Sequence, residues 1–222
     1  MLKQIIGIGG AKFAGKNTAA TIFRNKYGFK ELSFAFPLKI AVAQAFDLTY
    51  RELDDPELKE KPFKKDIKMN IHALNSLKKV LSRYHTFTEK DFIKMLLEIG
   101  PQRFFSTPRQ LLQYVGTDLI RNCVDNMFWC KAFIHDCKPY EAIVVPDVRF
   151  ANERATIKEM GGKLVLIKRG TETITDSHMS ENSLGNDDDY DIVFNNTSDI
   201  SNLHDDLDKW YTRYRAMEKI GL

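Results

Sequence analysis

A glycine-rich segment near the N-terminus constrains the fold of this chain more than any other feature. Residues 10–18 read GAKFAGKNT, follow the apolar run 5–8 and precede a helix-like stretch over 17–27. A strand, a glycine loop and a helix in this order form the context in which such a loop binds phosphate. The segment therefore predicts an anion-binding loop between the first strand and the first helix, rather than a glycine-rich turn without a ligand.

The residue types within this glycine loop each have a physical reason. Gly10 and Gly15 let backbone N–H groups turn toward phosphate oxygens, and the helix N-terminus adds partial positive charge. Lys16 supplies a mobile cation for the outer phosphates of a nucleotide. The next residue usually carries a hydroxyl that binds magnesium, but here it is Asn17, and the hydroxyl follows at Thr18. The spacing alone leaves the magnesium contact open.

The composition argues against several other classes of protein. The 222 residues suffice for one large domain or for a domain with an elaborated insert. Lys and Arg number 33 against 30 Asp and Glu, and this net charge of +3 is too balanced for general nucleic-acid binding. No apolar stretch reaches the roughly 18 residues of a membrane span. Cys123, Cys130 and Cys137 lack the paired spacing of a zinc site or disulfide framework, which fits buried thiols in a reducing cytoplasm.

Apolar runs separated by helical patterns predict a parallel sheet flanked by helices. The runs are residues 3–8, 30–34, 142–145, 163–167 and 191–194. Residues 48–108 break the alternation, because they hold helical patterns with no obvious strand. We interpret them as a helical insert over the sheet edge, not as an independent domain. Residues 170–190 are polar and suit either a mobile, lid-like loop or a connection without function.

Charged residues after the third predicted strand form the second half of the candidate site. In an open parallel sheet, ligands bind beyond the carboxyl ends of the strands. Asp147 would lie near the glycine loop if its strand neighbours the first, and there it would suit magnesium or its waters. Arg149 offers a planar fork for a phosphate, and Glu153 is spaced to pair with it on the following helix. The alternative is a surface ion pair at a strand end.

A polar stripe on a predicted helix is a further candidate. Arg109, Gln113, Thr117 and Arg121 recur every four residues, which on an α-helix gives a stripe that drifts by about 120°. The stripe would present donors to a phosphate and a base, but on periodicity alone a solvated helix face is the better explanation. Gly116 adds a clue, because a glycine inside a helix costs roughly 1 kcal/mol relative to alanine and fits a close approach to the backbone.

Weaker patterns mark four more residues. Trp129 either stacks on a base or packs in the core, and Lys39 either meets an acceptor phosphate or faces solvent. Arg169 and His178 lie at or within the lid-like segment, where either would close over the phosphates.

Taken together, these segments resemble the bacteriophage deoxynucleoside monophosphate kinases, a branch of the P-loop nucleoside monophosphate kinases. The Gly-Lys-x-Thr spacing of residues 15–18 is a habit of such kinases. The matching runs are residues 10–18, FPLK at 36–39, RQLLQYVGTD at 109–118, Trp129, PDVR at 146–149, Glu153, HMSE at 178–181 and NNTS at 195–198. They span nearly the whole chain. Phe13 departs from the pattern, because a basic residue is common there in the family.

The resemblance implies an α/β P-loop kinase fold, with a single domain over residues 1–222. Its five-stranded parallel sheet would be flanked by helices and carry the acceptor-binding insert 48–108 and the lid 170–190. The resemblance also implies ATP as donor, Mg²⁺, and a deoxynucleoside 5′-monophosphate as acceptor, while the composition predicts no membrane and no stable nucleic-acid partner. A homodimer is left open, and the expected location is the cytoplasm, of the host if the chain is phage-encoded.

Residue roles combine this resemblance with the spacing and chemistry described above. Lys12 joins Gly10, Gly15, Lys16, Asn17 and Thr18 in binding ATP. The candidate acceptor-binding residues are Lys39, Arg109, Gln113, Gly116, Thr117, Trp129, Asp147, Arg149 and Glu153. Thr18 and Asp147 would hold Mg²⁺, the latter directly or through water. In the expected in-line transfer, the acting residues are Lys16, Arg109, Asp147 and Arg149.

The glycine loop does not identify the acceptor, so an alternative enzyme stays open. It is a P-loop kinase for another small molecule, such as a coenzyme precursor, in the manner of the dephospho-CoA kinases. A GTP-dependent switch protein is disfavoured, because the chain has no Asn-Lys-x-Asp run for guanine.

Overall fold

The structure, a computed structural model, describes residues 4–100, 103–169, 184–197 and 200–219. It divides the chain into two compact units. The first unit takes both ends of the chain, up to Phe34 and from Cys137 onward, and the second runs from Ala35 to Asp136. The second unit is longer at both ends than the predicted insert 48–108. That the two units act as one kinase domain stays a prediction.

The first unit is built on a five-stranded parallel sheet, as predicted. Numbered along the whole chain, its strands are β1 (Gln4–Gly9), β2 (Lys30–Glu31), β5 (Ala142–Val145), β6 (Lys163–Lys168) and β7 (Ile192–Asn195). Their order in the sheet is β2-β5-β1-β6-β7. The central strand is β1, where Ile6 lies opposite Val144 on one side and Lys163 on the other. Every strand overlaps one of the predicted runs, although β2 is shorter than expected.

Helices cover both faces of this sheet. They are α1 (Lys16–Tyr27), α8 (Ala151–Glu159) and α9 (Ile200–Lys219), with a 3₁₀ turn at Asp187–Asp189. On one face, Ile6 shares a core with Phe23 of α1 and Tyr211 of α9, whose ring centroids are 5.3 Å apart. Gly7 points to the opposite face, because successive strand residues alternate. There a Cβ on Gly7 would lie 2.6 Å from the Cδ1 of Ile157 in α8.

The second unit is mainly helical and has its own core. Its helices are α2 (Phe36–Phe46), α3 (Tyr50–Asp54), α4 (Ile71–Leu81), α5 (Glu89–Ile99), α6 (Pro108–Gln113) and α7 (Phe128–Cys137), with a 3₁₀ turn at Leu58–Glu60 and a π-helical segment at Tyr114–Arg121. Leu74, Leu77 and Leu111 are fully buried in this core. Each such side chain stabilises the fold by about 1.5–3 kcal/mol relative to an exposed one.

A short antiparallel ribbon in the second unit shows that the expectation of no strand within residues 48–108 is wrong. β3 (Ile67–Met69) pairs with β4 (Arg103–Phe105), and Ile67 lies opposite Phe105. Each strand has three residues, which is too short to display the two-residue alternation by which strands are recognised. Burial of Met69 and Phe105 among the helices holds the ribbon in place.

Two expectations from composition can be compared with this fold. Cys123, Cys130 and Cys137 are buried thiols, as predicted. In the part of the chain that the structure describes, every helix is too short or too polar to cross a membrane.

Candidate functional site

The candidate site of the first unit lies at the carboxyl ends of its parallel strands, where open sheets of this kind bind ligands. The glycine loop follows β1, Asp147 follows β5, and Arg169 follows β6. Because β5 pairs in parallel with β1, Asp147 and the glycine loop follow neighbouring strands and lie at the same end of the sheet. The N–H of Val148 donates to the carbonyl of Ile8 at 3.1 Å and ties the two strand ends together.

The backbone of the glycine loop adopts conformations that favour glycine. Gly10 has φ 149° and Gly15 has φ 110°, a range that residues with side chains rarely adopt. A Cβ on Gly10 would also lie 2.4 Å from the carbonyl oxygen of Ile167. Phe13 has φ 66° despite its bulky side chain, is 75% exposed, and has the Lys12 ammonium 5.2 Å from its ring centre. Strained backbone of this kind is concentrated at functional sites.

Lys16, the first residue of α1, reaches back over the loop. Its Nζ donates to the carbonyl oxygens of Gly10 and Ala11, each at 2.7 Å. The ammonium group therefore lies at the loop and close to the N-terminus of α1, where an anion is favoured. Thr18 is half-buried in the first turn of α1 and Asn17 is exposed. Their contacts to magnesium or phosphate stay predictions.

The residues that follow β5 form a cluster around the start of α8. Nε of Arg149 donates to Oδ1 of Asp147 at 2.8 Å, and both side chains are partly exposed. Glu153 is 4% exposed and caps α8, because its Oε2 accepts the N–H groups of Arg149 at 2.9 Å and of Phe150 at 3.2 Å. Glu153 thus contacts Arg149 through the backbone N–H of Arg149, a bond that the side-chain spacing does not predict.

This arrangement fits a magnesium ion that arrives with a nucleotide. Among the described residues, no group of three or more His, Cys, Asp or Glu side chains is placed to hold a metal by itself. Protein sites for Mg²⁺ commonly provide one or two oxygens and leave the remaining positions to substrate phosphates and waters. The Asp147 side chain, 41% exposed at a strand end, and the Thr18 hydroxyl are oxygens of this type.

The lid-like segment falls largely outside the described residues, and so does His178. Arg169 lies at the glycine loop, since its Nη1 donates to the carbonyl of Phe13 at 3.3 Å. At the other end of the segment, Tyr190 packs against the end of β1, where a Cβ on Gly9 would lie 2.4 Å from the tyrosine oxygen. Closure of this segment over a ligand stays a prediction.

Sequence reasoning assigns no role to two residues near this end of the sheet. Arg154 of α8 is 8% exposed, donates from Nη1 to the carbonyl of Arg149 at 2.8 Å and has Nη2 3.4 Å from Oδ2 of Asp189. Asn196 follows β7, and its Nδ2 donates to the carbonyl of Ala14 at 2.9 Å. The polar run after β7 was a detectable pattern, but no spacing rule connects a residue there with a loop so far away in sequence.

In the second unit, two predicted acceptor residues lie in ion pairs. Arg109, in the first turn of α6, pairs with the carboxylate of Glu60 through Nε and Nη2. Lys39 of α2 has its Nζ 2.6 Å from Oδ1 of Asp54. Partly exposed pairs of this kind contribute no more than about 1 kcal/mol, so a phosphate would compete for either cation at small cost. Binding of an acceptor by these residues stays a prediction.

Gly116 and Trp129 meet each other in the core of the second unit. Nε1 of Trp129 donates to the carbonyl of Gly116 at 2.9 Å, and Trp129 is 4% exposed. A Cβ on Gly116 would lie 2.8 Å from Cδ2 of Leu38. The close approach that a helical glycine indicates is therefore made by a leucine side chain. Packing accounts for both residues, and their contact with an acceptor stays a prediction.

The predicted polar stripe does not continue as an α-helix. The α-helix α6 ends at Gln113, and the next eight residues are π-helical. In this segment the N–H of Asn122 donates to the carbonyl of Thr117, five residues earlier, at 3.0 Å. A π-helix has more residues per turn than an α-helix, so residues four apart are separated by a different angle. The α-helical position expected for the polar stripe is therefore wrong. Such segments are frequent at functional sites, and roles for Gln113 and Thr117 stay predictions.

Comparison with known proteins finds relatives along most of the chain. Residues 64–207 match the family model described as deoxynucleotide monophosphate kinase. A protein of Acanthamoeba polyphaga mimivirus, provisionally named a deoxynucleotide monophosphate kinase, is 32% identical over 217 residues, or 91% of this chain and 93% of the relative. The deoxynucleotide monophosphate kinase of Escherichia phage RB69 is 24% identical over 243 residues, or 93% of this chain and 98% of the relative.

Among solved structures, a dephospho-CoA kinase from Campylobacter jejuni aligns with a TM-score of 0.43 and 14% identity, over 96% of this chain and 98% of that one. A likeness at this level carries no information about the substrate. The family-model match begins beyond the glycine loop, so the role of the loop is argued from its geometry.

Proposed function

The chain belongs to the deoxynucleotide monophosphate kinase family, and we propose that it transfers the γ-phosphate of ATP to a deoxynucleoside 5′-monophosphate. The products are ADP and a deoxynucleoside diphosphate. The observation that carries this proposal is the glycine loop, with Gly10 and Gly15 in left-handed conformations after β1 and Lys16 at the start of α1. Backbone N–H groups, a helix N-terminus and a lysine together suit nucleotide phosphates.

Phosphoryl transfer depends on positioning and charge more than on covalent chemistry by the protein. Lys16 neutralises the negative charge that develops on the transferred group, while the N–H groups of the loop hold the phosphates of ATP. Mg²⁺, when bound with ATP, supplies further positive charge, and Thr18 and Asp147 would hold it directly or through water. An oxygen of the acceptor phosphate attacks the γ-phosphorus in line with the departing ADP oxygen.

Arg149 would bind a phosphate at the same strand edge. Its guanidinium is oriented by the 2.8 Å bond from Nε to Asp147, and its backbone N–H is held by Glu153 at 2.9 Å. A planar donor group of fixed orientation suits the oxygens of a phosphate, and less entropy is lost when such a group binds. Asp147 and Glu153 would then serve Arg149 as supports, in addition to any contact of Asp147 with Mg²⁺.

Residues of the second unit would recognise the acceptor nucleotide. Arg109 would exchange Glu60 for the acceptor phosphate, since the pair that the two residues form is partly exposed. Lys39 would add a second cation, and Gln113 and Thr117 would offer hydrogen bonds to the base or sugar. The deep burial of Trp129 argues for an indirect contribution through the shape of the core.

The proposed partners of this enzyme are small nucleotides. ATP and nucleoside monophosphates are metabolites of the cytoplasm, so the enzyme would act there, in the host cell if the chain is viral. The homodimer that the sequence leaves open stays untested.

A panel of acceptors tests the proposed function. ADP formation is measured with ATP and each deoxy- and ribonucleoside monophosphate in turn, and with dephospho-CoA as a coenzyme precursor. We expect turnover with at least one deoxynucleoside monophosphate and none with dephospho-CoA. Turnover with dephospho-CoA alone would instead identify a kinase for coenzyme precursors and would contradict the proposal.

A further inference from the structure

Asn196 joins the end of the sheet to the glycine loop. Its backbone N–H donates to the carbonyl of Lys168 at 2.7 Å, which fixes the residue at the end of β7 beside β6. Its side-chain Nδ2 donates to the carbonyl of Ala14 at 2.9 Å. A Cβ on Gly15 would lie 2.8 Å from that Nδ2 and 3.3 Å from Cδ2 of Leu203. The amide group is therefore packed against the peptide between Ala14 and Gly15.

The bond to Ala14 sets the direction of the next N–H group. In a trans peptide the C=O and the following N–H point in opposite directions. When Asn196 draws the carbonyl of Ala14 toward itself, the N–H of Gly15 is turned to the other side of the peptide. Gly15 has φ 110°, a conformation with little intrinsic preference of its own because glycine is so permissive. The bond from Asn196 therefore adds a constraint on this peptide that the glycine itself does not supply.

Other carbonyls of the loop are held in a similar way. Nζ of Lys16 binds the carbonyls of Gly10 and Ala11 at 2.7 Å, and Arg169 donates to that of Phe13 at 3.3 Å. A loop that binds an anion through its N–H groups must keep its carbonyls away from the ligand. Lys16 and Arg169 carry a positive charge that itself favours phosphate. Asn196 is neutral, so its contribution is one of orientation.

We propose that Asn196 is a positioning residue of the phosphate loop, whose side-chain amide orients the Gly15 N–H toward the phosphates of ATP. This inference rests on the proposed function to the extent that the loop binds ATP. It assigns no contact between Asn196 and the substrate. The residue acts through the backbone of the loop, from a strand end that follows the loop by most of the length of the chain.

Two substitutions separate the hydrogen bond from mere packing. Asn196→Ala removes the donor together with the amide. Asn196→Asp keeps the shape and replaces the donor by a carboxylate, which at neutral pH repels both the Ala14 carbonyl and the phosphates. Asn195→Asp makes the same charge change one residue earlier, at an exposed position, and is the matched control.

The decisive measurement is the dissociation constant of ATP for each variant, obtained by titration calorimetry, together with its thermal unfolding. We expect a weakening of about three- to tenfold for Asn196→Ala, from the loss of one oriented hydrogen bond, and a larger loss for Asn196→Asp. The control should stay within about twofold of the wild type, because its charge is exposed and screened. The KM of the acceptor should not change in any of them.

A pH series adds a readout that a purely structural role would not move. As the pH falls toward about 5, protonation of the introduced carboxyl begins to restore an O–H donor. The ratio of the ATP dissociation constant of Asn196→Asp to that of the wild type should therefore be smaller at pH 5 than at pH 8. For Asn196→Ala the same ratio should stay constant.

The inference is overturned if both Asn196 variants are folded and bind ATP within about twofold of the wild type, or if stability falls without a change in ATP affinity. Failure of the proposed function looks different. A wild-type protein that binds ATP but transfers phosphate to no deoxynucleoside monophosphate would contradict the proposed reaction, and the ATP titrations would still decide the role of Asn196.

Discussion

The glycine loop of the first unit and the π-helical segment of the second both contain unusual glycines, but for different reasons. Gly10 and Gly15 have left-handed backbone conformations in a loop whose carbonyls accept hydrogen bonds from Lys16 nearby and from Arg169 and Asn196, far away in sequence. Gly116 lies in the π-helical segment without a positive φ, and its missing side chain makes room for Leu38. A glycine between a strand and a helix therefore points to chemistry, whereas a glycine within a helix points first to its packing neighbour.

Replacing Lys16 tests the claim that the glycine loop serves chemistry, and it has the largest expected effect. Lys16→Ala should lower kcat/KM by about 10²–10³-fold, because charge on the transferred group loses a preorganised cation. Stability should change little, since Lys16 is only half-buried. Steady-state kinetics with ATP and the best acceptor measure this effect.

The matched control for this lysine is Lys26→Ala, in the last turn of the same helix, where the side chain is 57% exposed. It removes the same charge and should leave kcat/KM within about twofold of the wild type, because exposed charges at this distance are screened. Equal losses in the two variants would show that Lys16 has no special role.

Arg109 tests whether the second unit contributes chemistry as well as packing. Arg109→Ala should raise the KM for the acceptor by about ten- to a hundredfold, the usual range for a charged hydrogen bond, and leave the KM for ATP unchanged. Glu60→Ala breaks the same ion pair from the other side and should not raise the acceptor KM. If both variants leave kinetics unchanged and lower stability equally, the pair is structural and Arg109 has no part in binding.

Replacing Trp129 tests the claim that the π-helical segment around Gly116 serves packing. Trp129→Phe removes the donor to the Gly116 carbonyl and part of a buried side chain, so the free energy of unfolding should fall by about 2 kcal/mol. Trp210→Phe, at a partly buried position in the first unit, should cost less. Urea denaturation gives both values. A tenfold rise in acceptor KM with unchanged stability would instead favour stacking on a base, the alternative that the sequence left open for Trp129.

Phe13 has the smallest expected effect. Phe13→Asn should stabilise the protein by about 0.5–1 kcal/mol, because asparagine tolerates the left-handed conformation and an exposed ring contributes little burial. Phe13→Leu keeps the backbone strain and should leave stability nearly unchanged. Destabilisation by the asparagine variant, measured by thermal unfolding, would show that the ring makes a contact which outweighs the strain.

Much of the first unit could be predicted because its patterns are local. Ala142–Val145 is a continuous apolar run, as a strand buried on both faces should be, and the structure pairs it with β1. The rule that ligands bind at the carboxyl ends of parallel strands then predicts where Asp147 and Arg149 lie. Both steps need nothing beyond short stretches of sequence.

The remainder depends on contacts between distant residues. The strands Ile67–Met69 and Arg103–Phe105 pair with each other, but they are too short to show a periodic sequence pattern. The widening of the helix after Gln113 has no marker in the residue types, and the bond from Asn196 to Ala14 spans 182 positions. Such features follow from tertiary packing, which propensity and spacing do not encode.

The central claim is that the glycine loop holds ATP for transfer to a deoxynucleoside monophosphate. The most direct measurement follows the label from γ-labelled ATP in the presence of each deoxynucleoside monophosphate. Label should move into a deoxynucleoside diphosphate, and ATP should be consumed only when the acceptor is present. Release of the label as inorganic phosphate regardless of the acceptor, or its retention in ATP that is bound to the protein, would contradict the account.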